Sequence, residues 1–162
     1  MTWVVASIAA LVLLTSYVTW TAGRLDRLHA RVDAAWAALD AQLVRRAAAA
    51  RALVPLLDPA PVAGLLEMAA QAALEGGEVG REAVENDLSR AVHQAVPLLA
   101  AESDLRELRT AATRVALARS FHNAAVKDTR SLRWRRVPRL LRLAGHRSMP
   151  VYFEIDDTAL AG

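Results

Sequence analysis

Leu25-Asp26-Arg27-Leu28-His29-Ala30-Arg31-Val32-Asp33-Ala34-Ala35-Trp36-Ala37-Ala38-Leu39-Asp40-Ala41-Gln42-Leu43 decides the fold. Leu25, Leu28, Val32, Trp36, Leu39 and Leu43 recur at threes and fours, and Ala47, Ala50, Leu53 and Leu57 extend the series. That spacing puts one apolar stripe on one side of a helix of about nine turns. Asp26, Arg27, Asp33, Asp40, Arg45, Arg46 and Arg51 are expected mostly on the opposite side. The pattern predicts a helix to about residue 57, with Pro55 kinking its last turn.

Upstream, Thr2 to Gly23 carries no charged side chain. At about 1.5 Å per residue such a helix reaches roughly 33 Å, enough to cross the hydrocarbon core. Trp3 lies at one end, with Tyr17 and Trp20 near the other, where amphipathic rings favour the two interfaces. No basic residue precedes the apolar run, as a signal peptide would have. The expectation is an uncleaved, single-pass transmembrane anchor continuing into the body. Arg24, Arg27 and Arg31 follow the span. Positive flanks stay in the cytoplasm, so the N-terminus is expected outside and the body inside, at the inner membrane of the cell. Ala6, Ser7, Ala9 and Ala10 leave room for self-association of the span into a homo-oligomer.

Downstream, breakers alternate with helical runs. Asp58-Pro59-Ala60-Pro61 interrupts, Val62 to Leu74 forms a second helix, and Glu75 to Gly80 is a turn. Arg81 to about Val96 forms a third. A fourth starts near Ser103 and runs to about Leu132, its apolar face carried by Leu105, Leu108, Ala112, Val115, Ala118, Phe121 or His122, and Ala125. Gly64 is the main breaker residue inside a segment. Alanine at 35 positions and leucine at 24, with aromatics at 5%, favour close helix packing over any sheet. The expected fold is all-α: a transmembrane helix leading into a long antiparallel bundle of about four helices. The expected divisions are 1–23 anchor, 24–132 bundle, and 133–162 basic juxtamembrane segment and tail.

The net charge of +3 hides a division. Residues 58–107 hold ten acids and three arginines, whereas 127–149 hold one lysine, seven arginines and one aspartate. In an up-down bundle the end of the fourth helix returns to the membrane. Arg130, Arg133, Trp134, Arg135, Arg136, Arg139 and Arg142 are therefore expected to lie along an anionic leaflet, with Leu140, Leu141 and Leu143 dipping into it. Pairing with the acidic helices competes with that reading. Nucleic acid is the weaker partner, because Trp134 is the sole aromatic among these arginines.

Signals for chemistry are sparse. With no cysteine, thiolate metal sites and cysteine nucleophiles are excluded. His29, His93, His122 and His146 show no zinc-helix spacing. Ser89 and His93 are four apart without a nucleophile elbow. Glu82, Glu85 and Asp87 read as a solvated helix start that complements the dipole. Trp36 reads as a core anchor. No catalytic, metal or cofactor site is expected.

Three segments in order resemble the LemA family of bacterial membrane-anchored helical proteins. The first is Val32-Asp33-Ala34-Ala35-Trp36 through Leu39-Asp40-Ala41-Gln42-Leu43-Val44-Arg45-Arg46 to Leu53-Val54-Pro55-Leu56-Leu57. The second is Ala118-Arg119-Ser120-Phe121-His122-Asn123-Ala124-Ala125-Val126, and the third is Tyr152-Phe153-Glu154-Ile155-Asp156. The chain departs from the family pattern at His122, where a tyrosine is usual, at Leu56, and at Thr129-Arg130. The resemblance implies a long antiparallel bundle behind an N-terminal span, with the bulk of the chain inside the cell. It supplies no enzyme activity. Trp36, Gln42, Arg45, Arg46, Arg119 and Asn123 then carry structural roles. The function expected is a non-enzymatic scaffold or adaptor contacting anionic lipid and other membrane proteins. The alternative is a tethered sensor or regulatory subunit binding a small ligand or cation inside the bundle.

Overall fold

The computed structural model describes residues 1–58, 60–99, 101–135 and 147–156. It is all-α. Helix α1 (Thr2–Arg51) is followed by α2 (Ala60–Glu75), α3 (Arg81–Ala95) and α4 (Glu102–Arg133). No strand occurs among the described residues. Helix boundaries fall where the breakers lie. The 50-residue α1 ends earlier than the stripe alone predicts, at Arg51, and the chain tightens into a 3-10 turn at Val54–Leu56. Pro55 explains the stop: it has no N–H for the helical ladder. The same tetrad recurs as Val96-Pro97-Leu98-Leu99, and α3 ends in an equivalent 3-10 turn. Both turns exit through an extended leucine, Leu57 (ψ 130°) and Leu99 (ψ 125°).

Two compact units divide the chain. One comprises Met1–Ala35 and Asn123–Tyr152, the other Trp36–His122 with the tail from Phe153. In the first, the end of α4 runs antiparallel along α1. Val32 packs with Ala125 and Val126, and the Thr129 hydroxyl lies 3.4 Å from the Leu28 carbonyl while donating to Ala125 O at 2.8 Å. His29 is buried; its Nδ1 lies 2.9 Å from Leu25 O.

In the second unit, Leu53, Leu57, Leu66, Leu88, Val92, Leu105 and Leu108 form the main core, with alanines 47, 50, 70, 73, 91 and 95 between them. Each fully buried leucine contributes roughly 1.5–3 kcal/mol. The alanines let the helices approach closely. Leu39, Leu43 and Val115 form a second cluster with Phe153 and Ile155. The apolar stripe predicted on α1 from Leu25 to Leu57 is buried or half-buried at every position. On α4, His122 takes the inward position and Phe121 stays 59% exposed. Ala111 is buried where Ala112 was expected and Ala112 is half-buried, a shift of one residue along the same face. The turn between α2 and α3 closes on Gly80 at φ +76°, a conformation that suits a residue without a Cβ.

Candidate functional site

The most charged interior of the second unit lies where α1 meets α3. Position 46 belongs by its charge to the outer side of α1, yet Arg46 is only 4% exposed. Its Nη2 lies 2.6 Å from Glu85 Oε2 and donates to Glu85 O at 3.1 Å. Arg81 approaches the other carboxylate oxygen, with Nε 3.1 Å from Glu85 Oε1, and donates through Nη1 to Gly76 O at 2.6 Å. Arg81 Nη2 lies 3.4 Å from Asp40 Oδ1. Two guanidiniums thus face two carboxylates, and the group is neutral in sum. Glu85 is wholly buried, which corrects its reading as part of a solvated helix start. Burial pushes its carboxyl above the ordinary value of 4.5, against the pull of Arg46 and Arg81. Periodicity carried a hint: Arg81, Glu85 and Leu88 fall on one face of α3 with Val92.

This arrangement ties helices together and offers no reacting group to solvent. Ser89 donates to Glu85 O at 3.0 Å, and His93 is exposed, so the two do not form a nucleophile pair. Among the described residues no three His, Asp or Glu side chains converge on a common point.

The motif residues on α1 and α4 occupy distinct places. Trp36 is half-buried and meets His122 and Phe153 edge-on, at centroid distances of 5.6 and 5.5 Å. His122 therefore supplies a flat ring to the face of α4 that meets Trp36. Gln42 is half-buried and Arg45 exposed. Arg119 donates to Ile155 O at 3.0 Å, and Asn123 is half-buried further along α4. The tail alternates: Phe153 and Ile155 point inward, while Glu154 and Asp156 are exposed. Their backbone N–H groups donate to Glu82 Oε1 (2.6 Å) and Asn86 Oδ1 (2.8 Å) of α3. An extended peptide is thus hydrogen-bonded by α3 and α4 side chains. Comparison with protein-family models, with curated proteins and with solved structures finds no match.

Among the described residues one helix, α1, is long and apolar enough to cross a membrane. Its most apolar 18-residue window has a mean hydropathy of 1.8, and none of it is buried. Trp3, Val4, Val5, Ile8, Leu11 to Leu14, Tyr17 and Trp20 all stand exposed around α1. The arginines at the end of α4 divide into two groups. Arg130 donates to Pro150 O at 3.1 Å and lies 5.4 Å from the Tyr152 ring centroid. Arg133 donates to Ser148 O (2.6 Å) and Arg147 O (3.0 Å). These two hold the returning chain. Trp134 and Arg135 are exposed. Arg136, Arg139 and Arg142, with Leu140, Leu141 and Leu143, lie outside the described residues.

Proposed function

We propose that this chain is a single-pass, membrane-anchored, non-enzymatic helical scaffold or adaptor, a diverged relative of the LemA proteins. It works at the inner face of the cytoplasmic membrane, in contact with anionic lipid and other membrane proteins. One observation carries the reading. The apolar window of α1 is wholly unburied, while the same helix from Leu25 onward packs its stripe into protein. A core helix of a soluble protein would bury that window. A leader destined for removal has no reason to continue without a break through Leu25, Val32 and Leu39 into the bundle.

Trp3 and Trp20 at the ends of the exposed stretch suit the two interfaces, and Arg24, Arg27 and Arg31 suit the cytoplasmic side. Exposed Leu65 and Met68 on α2 and Leu117 and Phe121 on α4 support contacts with other proteins.

Alkaline carbonate extraction of the full-length chain tests the anchor. The protein should stay with the pellet, and the chain lacking residues 1–23 should leave it. Full-length protein dissolved in detergent-free buffer would overturn the proposal. The absence of cysteine makes the orientation testable with Ser120→Cys on the exposed side of α4. A membrane-impermeant maleimide should react only after the cells are opened.

A further inference from the structure

We propose that a groove beside α1, just past its apolar stretch, holds the phosphate of one anionic phospholipid. It is lined by Arg24, Leu28 and Arg31 of α1 and by Asp128, Ser131, Leu132 and Arg135 of α4, and has a volume of about 270 Å³. Three guanidiniums face a single carboxylate there, a net charge of two positive. Arg24 is engaged by the Trp20 ring, 5.7 Å away, and has no ion-pair partner among the described residues. Arg135 is exposed, also without a carboxylate partner among them. Arg31 meets Asp128 at 3.4 Å, with both side chains more than half exposed. Such exposed pairs contribute little, so a phosphate can take Arg31 over. The planar guanidinium fork matches phosphate oxygens two at a time.

Position selects the lipid as the source of that phosphate. Arg24 follows Trp20 by one helical turn, about 6 Å along the axis, at the level where the apolar stretch ends. Side chains on a helix lean towards its N-terminus. On α1 that is towards the span, so Arg24 and Arg31 reach back to the headgroup layer. Helix α4 runs antiparallel to α1 here and delivers Arg135 to the same level. The inference rests on α1 being a membrane span and names the lipid chemistry at its base.

The test uses the full chain in a neutral detergent, titrated with dihexanoyl phosphatidylglycerol, dihexanoyl phosphatidylcholine or inorganic phosphate, with occupancy counted by native mass spectrometry. One phosphatidylglycerol should bind per chain in preference to the other two. Each Arg→Gln change at positions 24, 31 and 135 should weaken binding about fivefold. Arg106→Gln and Arg114→Gln, on exposed parts of α4, should leave it unchanged. Asp128→Asn should tighten it several-fold, a gain that misfolding cannot imitate. Equal binding of phosphatidylcholine would overturn the charge argument, and equal binding of inorganic phosphate would overturn the lipid assignment. Unchanged affinity in the Arg24/Arg31/Arg135 triple variant would overturn the site. A chain that stays in the carbonate pellet yet shows no preference for phosphatidylglycerol refutes this groove alone. A chain absent from the pellet refutes the anchor.

Discussion

Arg46 of α1 and Glu85 of α3 meet at 2.6 Å with neither side chain open to water. They lie 39 residues apart in the chain, and Arg81 brackets the same carboxylate from the other side at 3.1 Å. Desolvating these charges is costly, and their attraction repays it only while every partner is present. Such a group adds little net stability for its cost, and it favours the rotation and offset of α1 against α3 that bring Arg46 to Glu85.

Single and double substitutions should separate those two roles. Arg46→Met alone leaves Glu85 with only Arg81, and should cost about 3–5 kcal/mol in chemical unfolding followed by helical circular dichroism. Arg46→Met combined with Glu85→Leu should cost clearly less than the two single changes added together, because neither Arg46 nor Glu85 is then left buried without the other, while Arg81 keeps Asp40 and Gly76 O. An additive double variant would show that the two side chains do not interact.

Burial raises the carboxyl of Glu85 in the folded chain, and this fixes a direction for pH dependence. Below about pH 4.5 the group is protonated whether the chain is folded or not. Between there and its raised folded value, the folded chain holds the proton more tightly. Its contribution to stability is thus fully present at the acid end and is lost as pH rises through the folded value. The carboxyl carbon of Glu85, followed by NMR in the detergent-solubilised chain, should titrate above the ordinary value of 4.5. A midpoint at or below that value would show that Arg46 and Arg81 outweigh burial.

How much of this was legible beforehand depends on the kind of signal. The stripe from Leu25 to Leu57, the breakers at Asp58 and Pro97, and the turn at Gly76-Gly77 act through local rules, and they mark the helices closely. Burial of Arg46 was not legible, because charge type predicts exposure and only tertiary pairing reverses it; for Glu85 the helical period of α3 pointed inward against its charge. Phe121 and His122 posed the opposite problem. Both fit the helical period, and hydrophobicity favours Phe121, yet the inner position faces Trp36 and takes His122. The arginines from 130 to 135 read as one patch in composition. Backbone carbonyls at 147–150 divide them, and such partners leave no trace in a charge count.

The docked tail is held by side chains of α1, α3 and α4 outside the main core, so its stability should be separable from that of the helices. Phe153→Ala removes a ring that is 4% exposed and packs on Trp36. Arg119→Leu removes the donor to Ile155 O. Each should raise amide exchange at Glu154 and Asp156 at least tenfold while leaving exchange in the core of α3 within about twofold, since local opening is cheaper than global unfolding. Equal acceleration in α3 would mean that the tail is an integral part of the core.

One substitution made at two glycines should move stability in opposite directions. Gly64 lies inside α2, exposed, and an added Cβ meets nothing within 4 Å. Gly64→Ala therefore removes backbone freedom from the unfolded chain without a clash, and should stabilise by about 0.5–1 kcal/mol. Gly80 has equally open surroundings but sits at φ +76°. A Cβ there strains the backbone itself, so Gly80→Ala should destabilise by roughly 1–2 kcal/mol. Since free space is the same at both sites, a difference in sign between the two unfolding midpoints isolates the dihedral as the cause. Equal shifts at both positions would mean that the α2–α3 turn does not hold Gly80 in the left-handed region.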